Sequence, residues 1–299
     1  MSGIDRAIGI LLVAISAAAF GTLAILGRYA YADGMDALTI LSLRFSLSAL
    51  ALAGMLAVRG QSWPRCRTLA QLVGMGAVGY VGQAYFYFTA LNYASSGLVA
   101  LLLYLYPVFV TLLSLVWLGE PITRRKGTAL VLATLGLALT VGPEGGQMVG
   151  VLLGIGAAAI YSVYIMVGTQ VMRQVSAIQS SAVIFASAGV MSTGLMWIDG
   201  PHWPVSVAGW GAIGAIVLVA TVLPGVTFLA GLHRIGASNA AMISTVEPVV
   251  TVVLATLLLG EVFKPITLVG GGLILAAVLV LAQGELRRRP VAAVPLSLP

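Results

Sequence analysis

Ten times between residues 7 and 282 the chain runs for about 20 residues almost without charge: 7–27, 37–58, 69–91, 97–118, 127–142, 148–170, 177–198, 207–230, 238–259 and 266–282. A helix of that length spans the roughly 30 Å hydrocarbon core of a bilayer. Lipid offers backbone N–H and C=O groups no partner, so such a segment must close its hydrogen bonds within itself. One apolar run could be buried in a soluble core; ten cannot share one globule. Composition agrees, with 60% hydrophobic and only 8% charged residues and a mean hydropathy of +1.07. The expectation is an all-α integral membrane protein with almost nothing left for an extramembrane domain. The first run is too long for a secretory signal's apolar region of about 7–15 residues. Cys66, the single cysteine, provides no disulfide framework.

Basic residues assign the sides. Loops that share the N-terminus's side carry Arg6, Arg59, Arg65, Arg67, Arg124, Arg125, Lys126, Arg173, Arg234, Arg287, Arg288 and Arg289, twelve of the fifteen basic residues. The other side has Arg28 and Lys264 against Asp33, Asp36, Glu144, Asp199 and Glu261, and Arg44 falls inside the second stretch. The positive-inside rule then places both termini, including the tail 284–299, in the cytoplasm. The net charge of +6 is a topology signal. Short, scattered basic loops make no nucleic-acid footprint.

One phrase occurs twice. YPVFVTLLSLVWLGE at 106–120 and EPVVTVVLATLLLGE at 247–261 share six of fifteen positions at a spacing of 141 residues. The same spacing pairs Gly9 with Gly150, Leu91 with Leu232 and Pro107 with Pro248. The chain thus divides into residues 7–142 and 148–283, each with five stretches. Five is odd, so the second copy enters the membrane upside down: ten helices as two inverted five-helix repeats. Such repeats give two exchangeable conformations of similar energy, one open to each side.

This layout, the paired Pro-Val…Leu-Gly-Glu phrases, Leu43-Arg44-Phe45 in the second stretch and Glu247-Pro248 in the ninth together resemble the EamA-type branch of the drug/metabolite transporter superfamily. The resemblance covers about residues 7–283. It implies a secondary transporter in the plasma membrane, exporting metabolites, amino acids or toxic compounds. Within that branch the chain is most similar to bacterial exporters of aromatic and other amino acids.

Transporter sites tend to lie near the midplane, where proline or glycine interrupts helices of the two repeats. Pro107 and Pro248 fall in the middle of stretches four and nine, and Pro224 in stretch eight. Each removes the helix partner of the carbonyl four residues back, at Leu103, Ser244 and Ala220. A side chain, water or substrate must take that place, unless the kink only aids packing. The five tryptophans, with Tyr29, Tyr31 and Tyr93, lie at stretch ends as interfacial anchors. Tyr80, Tyr87, Tyr104, Tyr106, Tyr161 and Tyr164 lie well inside, where each hydroxyl needs a partner that lipid cannot supply.

Spacing groups these residues, because positions three, four or seven apart share a helical face. Tyr80, Gln83 and Tyr87 align; so do Tyr104, Pro107 and Thr111, then Tyr161 and Tyr164, then Ser244, Glu247 and Thr251. These faces would wall an aromatic cavity for a small-molecule substrate. The alternative is interhelical hydrogen bonding, at about 0.6–2 kcal/mol per contact. Glu247 should lie near the midplane, and Arg44 a little above it, about 10 Å below the outer surface at 1.5 Å per residue. Either the two neutralise each other or the carboxyl stays protonated, or else the carboxylate receives a substrate ammonium or a proton while Arg44 meets the substrate's carboxylate.

Glycine clusters at 74–82, 209–214 and 270–272 allow close helix approach. No GxxxxGK[ST] loop occurs, and His202 and His233 are separated by a helix, so neither a nucleotide nor a metal cofactor is expected. Transport energy would come from gradients. An intramembrane enzyme would need a catalytic pair that the sequence lacks, and a passive channel would favour rings of like residues. The sequence leaves the oligomeric state open. Cysteines introduced near Arg65 or Arg125 should escape labelling by an impermeant reagent applied outside the cell, whereas those near Asp36 or Glu144 should react; the reverse pattern overturns the assigned orientation.

Overall fold

The computed structural model describes residues 3–117, 123–140, 147–171, 175–235, 243–244 and 246–286, and every regular element among them is helical. Gly119, Glu120, Glu144, Arg173 and the basic tail from Arg287 lie outside the described residues, as do the side chains of Pro107, Thr111 and His233. The elements are α1 (Gly3–Gly21), α2 (Leu23–Ala32), α3 (Ala37–Val58), α4 (Cys66–Gly74), α5 (Val81–Ala90), α6 (Ser96–Leu103), α7 (Tyr106–Trp117), α8 (Arg124–Thr140), α9 (Met148–Val171), α10 (Ala177–Asp199), α11 (Val207–Val217), α12 (Leu223–Ile235), α13 (Val246–Leu259) and α14 (Pro265–Leu286). Five helices, Ala7–Ala32, Ala37–Val58, Met148–Gly168, Ile178–Asp199 and Val207–Phe228, are long and apolar enough to cross a membrane. Residues 96–110, 246–259 and 265–280 form shorter apolar helices.

Helix starts depend on capping. Asp36 accepts from the N–H groups of Leu38 and Thr39 at 3.3 and 3.1 Å, and Ser176 with Gln179 closes a capping box at the start of α10. Each satisfies N–H groups that a first turn leaves without partners. Trp63, Trp197, Trp203 and Trp210 are exposed near helix ends, as interfacial anchors would be.

Several apolar stretches are interrupted rather than continuous. The first breaks at Thr22, between α1 and α2. The third contains a π-helical turn, Met75–Tyr80, between α4 and α5, and the eighth contains another, Leu218–Val222, between α11 and α12. The fourth breaks at Tyr104 and Leu105, a turn ahead of the proline. Pro107 therefore stands in the first turn of α7 instead of at a mid-helix kink. A missing N–H is tolerated there, since a first turn has no acceptor for it.

The two halves of the sequence interleave. Alpha-3 packs along α10, α8 along α14, α1 along α12 and α5 along α9. The main buried cluster, which includes Phe45, Phe88, Leu91, Leu98, Ile213 and Ile216, draws on both halves. At one end of the bundle the connections bind each other: Arg28 donates to the Ala94 carbonyl at 2.6 Å, the Gln147 N–H donates to the Tyr93 carbonyl at 3.0 Å, and Glu261 accepts from the Ser96 N–H at 2.9 Å. There too the Asp33 carboxylate accepts from the Ser206 hydroxyl and from the N–H groups of Val205 and Ser206. The Ser206 hydroxyl, with the two backbone N–H groups behind it, outweighs desolvation and holds the Asp33 carboxyl below the usual carboxylate range. That tie therefore adds stability above the usual range and loses it as pH falls through the lowered value.

Close approach at the first π turn depends on a glycine. A Cβ on Gly76 would lie 2.1 Å from Ser187 Oγ and 2.3 Å from the Ile184 carbonyl oxygen, both on α10. Gly76→Ala should destabilise the protein by about 1–3 kcal/mol through overpacking. Gly54→Ala, with nothing within 4 Å of the added carbon, should not lower stability. Thermal unfolding of the two purified variants in detergent measures the difference.

Candidate functional site

Among the described residues, two charged side chains enter the bundle interior. Arg44, on α3, is 3% exposed. Its Nε donates to Thr221 Oγ1 at 2.9 Å, and the guanidinium carbon lies 5.1 Å from the Phe45 ring centroid and 6.0 Å from that of Phe88. The Tyr80 and Tyr87 side chains are within its electrostatic reach. Among the described residues no carboxylate forms an ion pair with it. The reading in which Arg44 and Glu247 neutralise each other by direct contact therefore does not describe this arrangement. A buried cation served only by neutral groups is costly and marks a functional candidate.

Glu247 lies in the first turn of α13. The Tyr104 hydroxyl, at the break between α6 and α7, reaches both Glu247 Oε2, at 2.9 Å, and the Ser244 carbonyl oxygen, and its one proton serves either acceptor but not both at once. That carbonyl is the one Pro248 leaves without a helix partner; of side chain, water and substrate, a side chain meets it. One turn on, Thr251 donates to the Gly21 carbonyl at 2.9 Å, where the first stretch breaks. A Cβ on Gly21 would sit 2.8 Å from the Glu247 carbonyl oxygen, so α1 and α13 touch backbone to backbone beside the acid.

Aromatic rings link the two poles. From Tyr104 the centroids run to Tyr106 at 6.0 Å, to Tyr161 at 4.9 Å, to Tyr164 at 5.8 Å, to Tyr80 at 5.6 Å and to Phe45 at 5.3 Å. All fall in the range of favourable edge or offset contact. The row begins at the tyrosine bonded to Glu247 and ends at the ring beside Arg44. Tyr87 is within electrostatic reach of both Glu247 and Arg44. Tyr80, Tyr161, Tyr164, Ser244 and Glu247 keep partial exposure, whereas Gln83, Tyr87 and Tyr104 are buried.

The structure thus joins Tyr104, Ser244 and Glu247 in one group, and Tyr80, Tyr161 and Tyr164 in one row. Gln83 is buried on α5 and takes no part in the row. Sequence spacing did not single out Thr221, Phe45, Phe88 or Phe185, which lies 5.6 Å from Tyr80. A threonine three residues before Pro224 in an apolar run is the signal available for Thr221. The phenylalanines carry no polar atom to distinguish them from ordinary packing.

The EamA-like transporter family matches residues 7–142 and again residues 148–283. The chain belongs to this family. Among similar proteins, an uncharacterized transporter of Archaeoglobus fulgidus is 27% identical over 276 residues, 90% of this chain and 94% of the relative. The uncharacterized transporter YcbK of Bacillus subtilis is 27% identical over 225 residues, 72% of this chain and 70% of the relative. A probable terminal-alkyne amino-acid exporter of Streptantibioticus cattleyicolor is 26% identical over 278 residues, 88% of this chain and 90% of the relative. A solved crystal structure aligns with 93% of this chain and 98% of its own at a TM-score of 0.67 and 22% identity, a likeness of fold. This EamA protein is accordingly a multi-pass membrane transporter of small molecules.

Tyr104→Phe removes one hydroxyl from both Glu247 and the Ser244 carbonyl. It should destabilise the protein by about 1–3 kcal/mol, the cost of leaving a buried polar group without its partner. The exposed Tyr29→Phe should change stability little. Unfolding temperatures of the two variants in detergent give the comparison.

Proposed function

We propose that this protein exports amino acids, aromatic ones among them, or similar small amphipathic metabolites across the plasma membrane by alternating access. The observation that carries this reading is the pair of oppositely charged side chains held apart inside the bundle and linked by a row of aromatic rings. A free amino acid bears an ammonium and a carboxylate on one carbon. Glu247 can receive the first, Arg44 the second, and the rings of Tyr80, Tyr161 and Tyr164 offer stacking surface to an apolar side chain. The Streptantibioticus relative named as a probable amino-acid exporter supports the same substrate class.

Alternating access rests on the inverted repeat, 7–142 and 148–283, with ten spans and both termini cytoplasmic. Supporting it are the family match to each half and the position of the two π turns, since the first, shifted by 141 residues, falls on 216–221 and overlaps the second. On this topology the tied end of the bundle is the outer end. The partners are the lipid bilayer and a small-molecule substrate, without nucleic acid or cofactor.

Counterflow in vesicles loaded with amino acids, sugars or cationic drugs tests the substrate class. Amino acids should exchange with saturation; exchange of drugs alone would favour a drug exporter, and flux that never saturates would favour a channel. In the same assay Glu247→Gln should cut amino-acid exchange about tenfold or more, the loss expected when a charge-assisted hydrogen bond goes. Tyr80→Ala, Tyr104→Ala and Tyr161→Ala should impair aromatic substrates more than alanine. Unchanged affinity and pH dependence in a folded Glu247→Gln protein would remove Glu247 from the site.

A further inference from the structure

We propose that Thr221 is a positioning residue, which aims the Arg44 guanidinium at the anionic group of the transported molecule and so sets the preference for carboxylate-bearing substrates. The inference rests on the reading of Arg44 as the substrate's anion receptor.

Proton counting sets the direction of each bond. The Thr221 hydroxyl donates its single proton to the Ile216 carbonyl at 2.8 Å. Its oxygen is then left only with lone pairs, and Arg44 Nε points one N–H at them from 2.9 Å. Thr221 is 1% exposed and Arg44 3%, so no bulk water competes for either bond. The π turn at Leu218–Val222 makes this geometry available. An extra residue in the turn rotates the succeeding residues relative to a regular helix, and it brings Thr221 onto a carbonyl five residues back. Without it, the hydroxyl would face a different neighbour.

Fixing Nε fixes the whole group, because the guanidinium is planar and its five N–H donors form a rigid fork. The rings of Phe45 and Phe88 lie beside the group, and Thr221 holds its inner edge. The terminal nitrogens are the donors left over by Thr221, with the Tyr80 hydroxyl within hydrogen-bonding reach and Tyr87 within electrostatic reach of the group, so an anion would meet them alongside Tyr80. A bidentate pair with a carboxylate needs both of those N–H vectors parallel and correctly aimed. A guanidinium free to swivel would still be charged, but it would lose the paired geometry that distinguishes a carboxylate from a neutral ester.

The test compares L-phenylalanine with its methyl ester in counterflow, using vesicles that contain the full chain. Thr221→Val keeps the shape and removes the acceptor. It should raise KM for phenylalanine about tenfold, as expected for a lost hydrogen bond to a charged group, while leaving the maximal rate within about twofold and KM for the ester unchanged. Thr221→Ser, which retains the oxygen, should restore the parent KM. Thr221→Cys, a weak acceptor of nearly the same size, should fall between, and it decides by the same ratio if the valine protein does not fold. An equal rise in KM for acid and ester, or no rise for either, assigns Thr221 to packing and overturns the proposal. Arg44→Gln separates the two levels of inference. If it abolishes the preference for the acid while Thr221→Val does not, only the positioning role fails; if it leaves the preference intact, the reading of Arg44 as anion receptor fails with it.

Discussion

A polar atom inside a bilayer has nothing to bond except the protein that surrounds it. That constraint organises this molecule more than any single contact. In water, Arg44 and Glu247 would need no partners, and their solvation would make either position interchangeable with many others. At membrane depth each must be embedded among groups that face it, and the helices that supply those groups are thereby fixed relative to one another. Arg44 draws α3 to the second π turn through Thr221, and Glu247 draws α13 to the break between α6 and α7 through Tyr104. Both links cross from one half of the sequence to the other.

The interruptions in the helices obey the same rule. A proline or a π turn frees a carbonyl, and every freed carbonyl must be met. Ser244 shares the Tyr104 hydroxyl with Glu247, Gly21 is met by Thr251, and Ile216 by Thr221. The Pro224 carbonyl, at the start of α12, accepts from Ser16 on α1 at 2.8 Å. Breaks in one element are thus paired with short polar side chains on another or in the adjoining turn. The breaks also gather close to the charged residues, which leaves irregular backbone and buried charge sharing one region of the bundle, as expected where a transporter must change shape around its cargo.

Much of this was legible in the linear chain. Helical spans could be marked because about 20 apolar residues admit few other outcomes, and the inward tyrosines could be named because a phenol at membrane depth must have a partner. The expectation that Ser244's carbonyl needs a substitute partner came from Pro248 alone. Spacing worked less well where the helix was not regular. Tyr80 ends a π turn, so its relation to Gln83 and Tyr87 is not that of one uniform face. Tyr106 comes after a break, and its ring meets Tyr161 on α9 rather than a neighbour on its own helix. Pro107 reads as a mid-span kink because an apolar run gives no sign of where one helix stops and the next begins.

The sequence by itself determined that this chain is a helical membrane protein of the EamA family, repeated once along its length, with a small set of polar residues too expensive to bury without purpose. Those conclusions depend on composition, period and local stereochemistry, which act along the chain. Only the tertiary structure decided which polar residues meet. Arg44 and Glu247 could have paired, and a linear reading favours neither contact nor separation. The aromatic row that runs from the Glu247 partner to the ring beside Arg44, and the choice of Thr221 as the guanidinium's acceptor, depend on how α3, α5, α9, α12 and α13 pack and on where the π turns rotate them. Contacts between residues 177 positions apart are set by packing in three dimensions, and no periodicity along one helix encodes them.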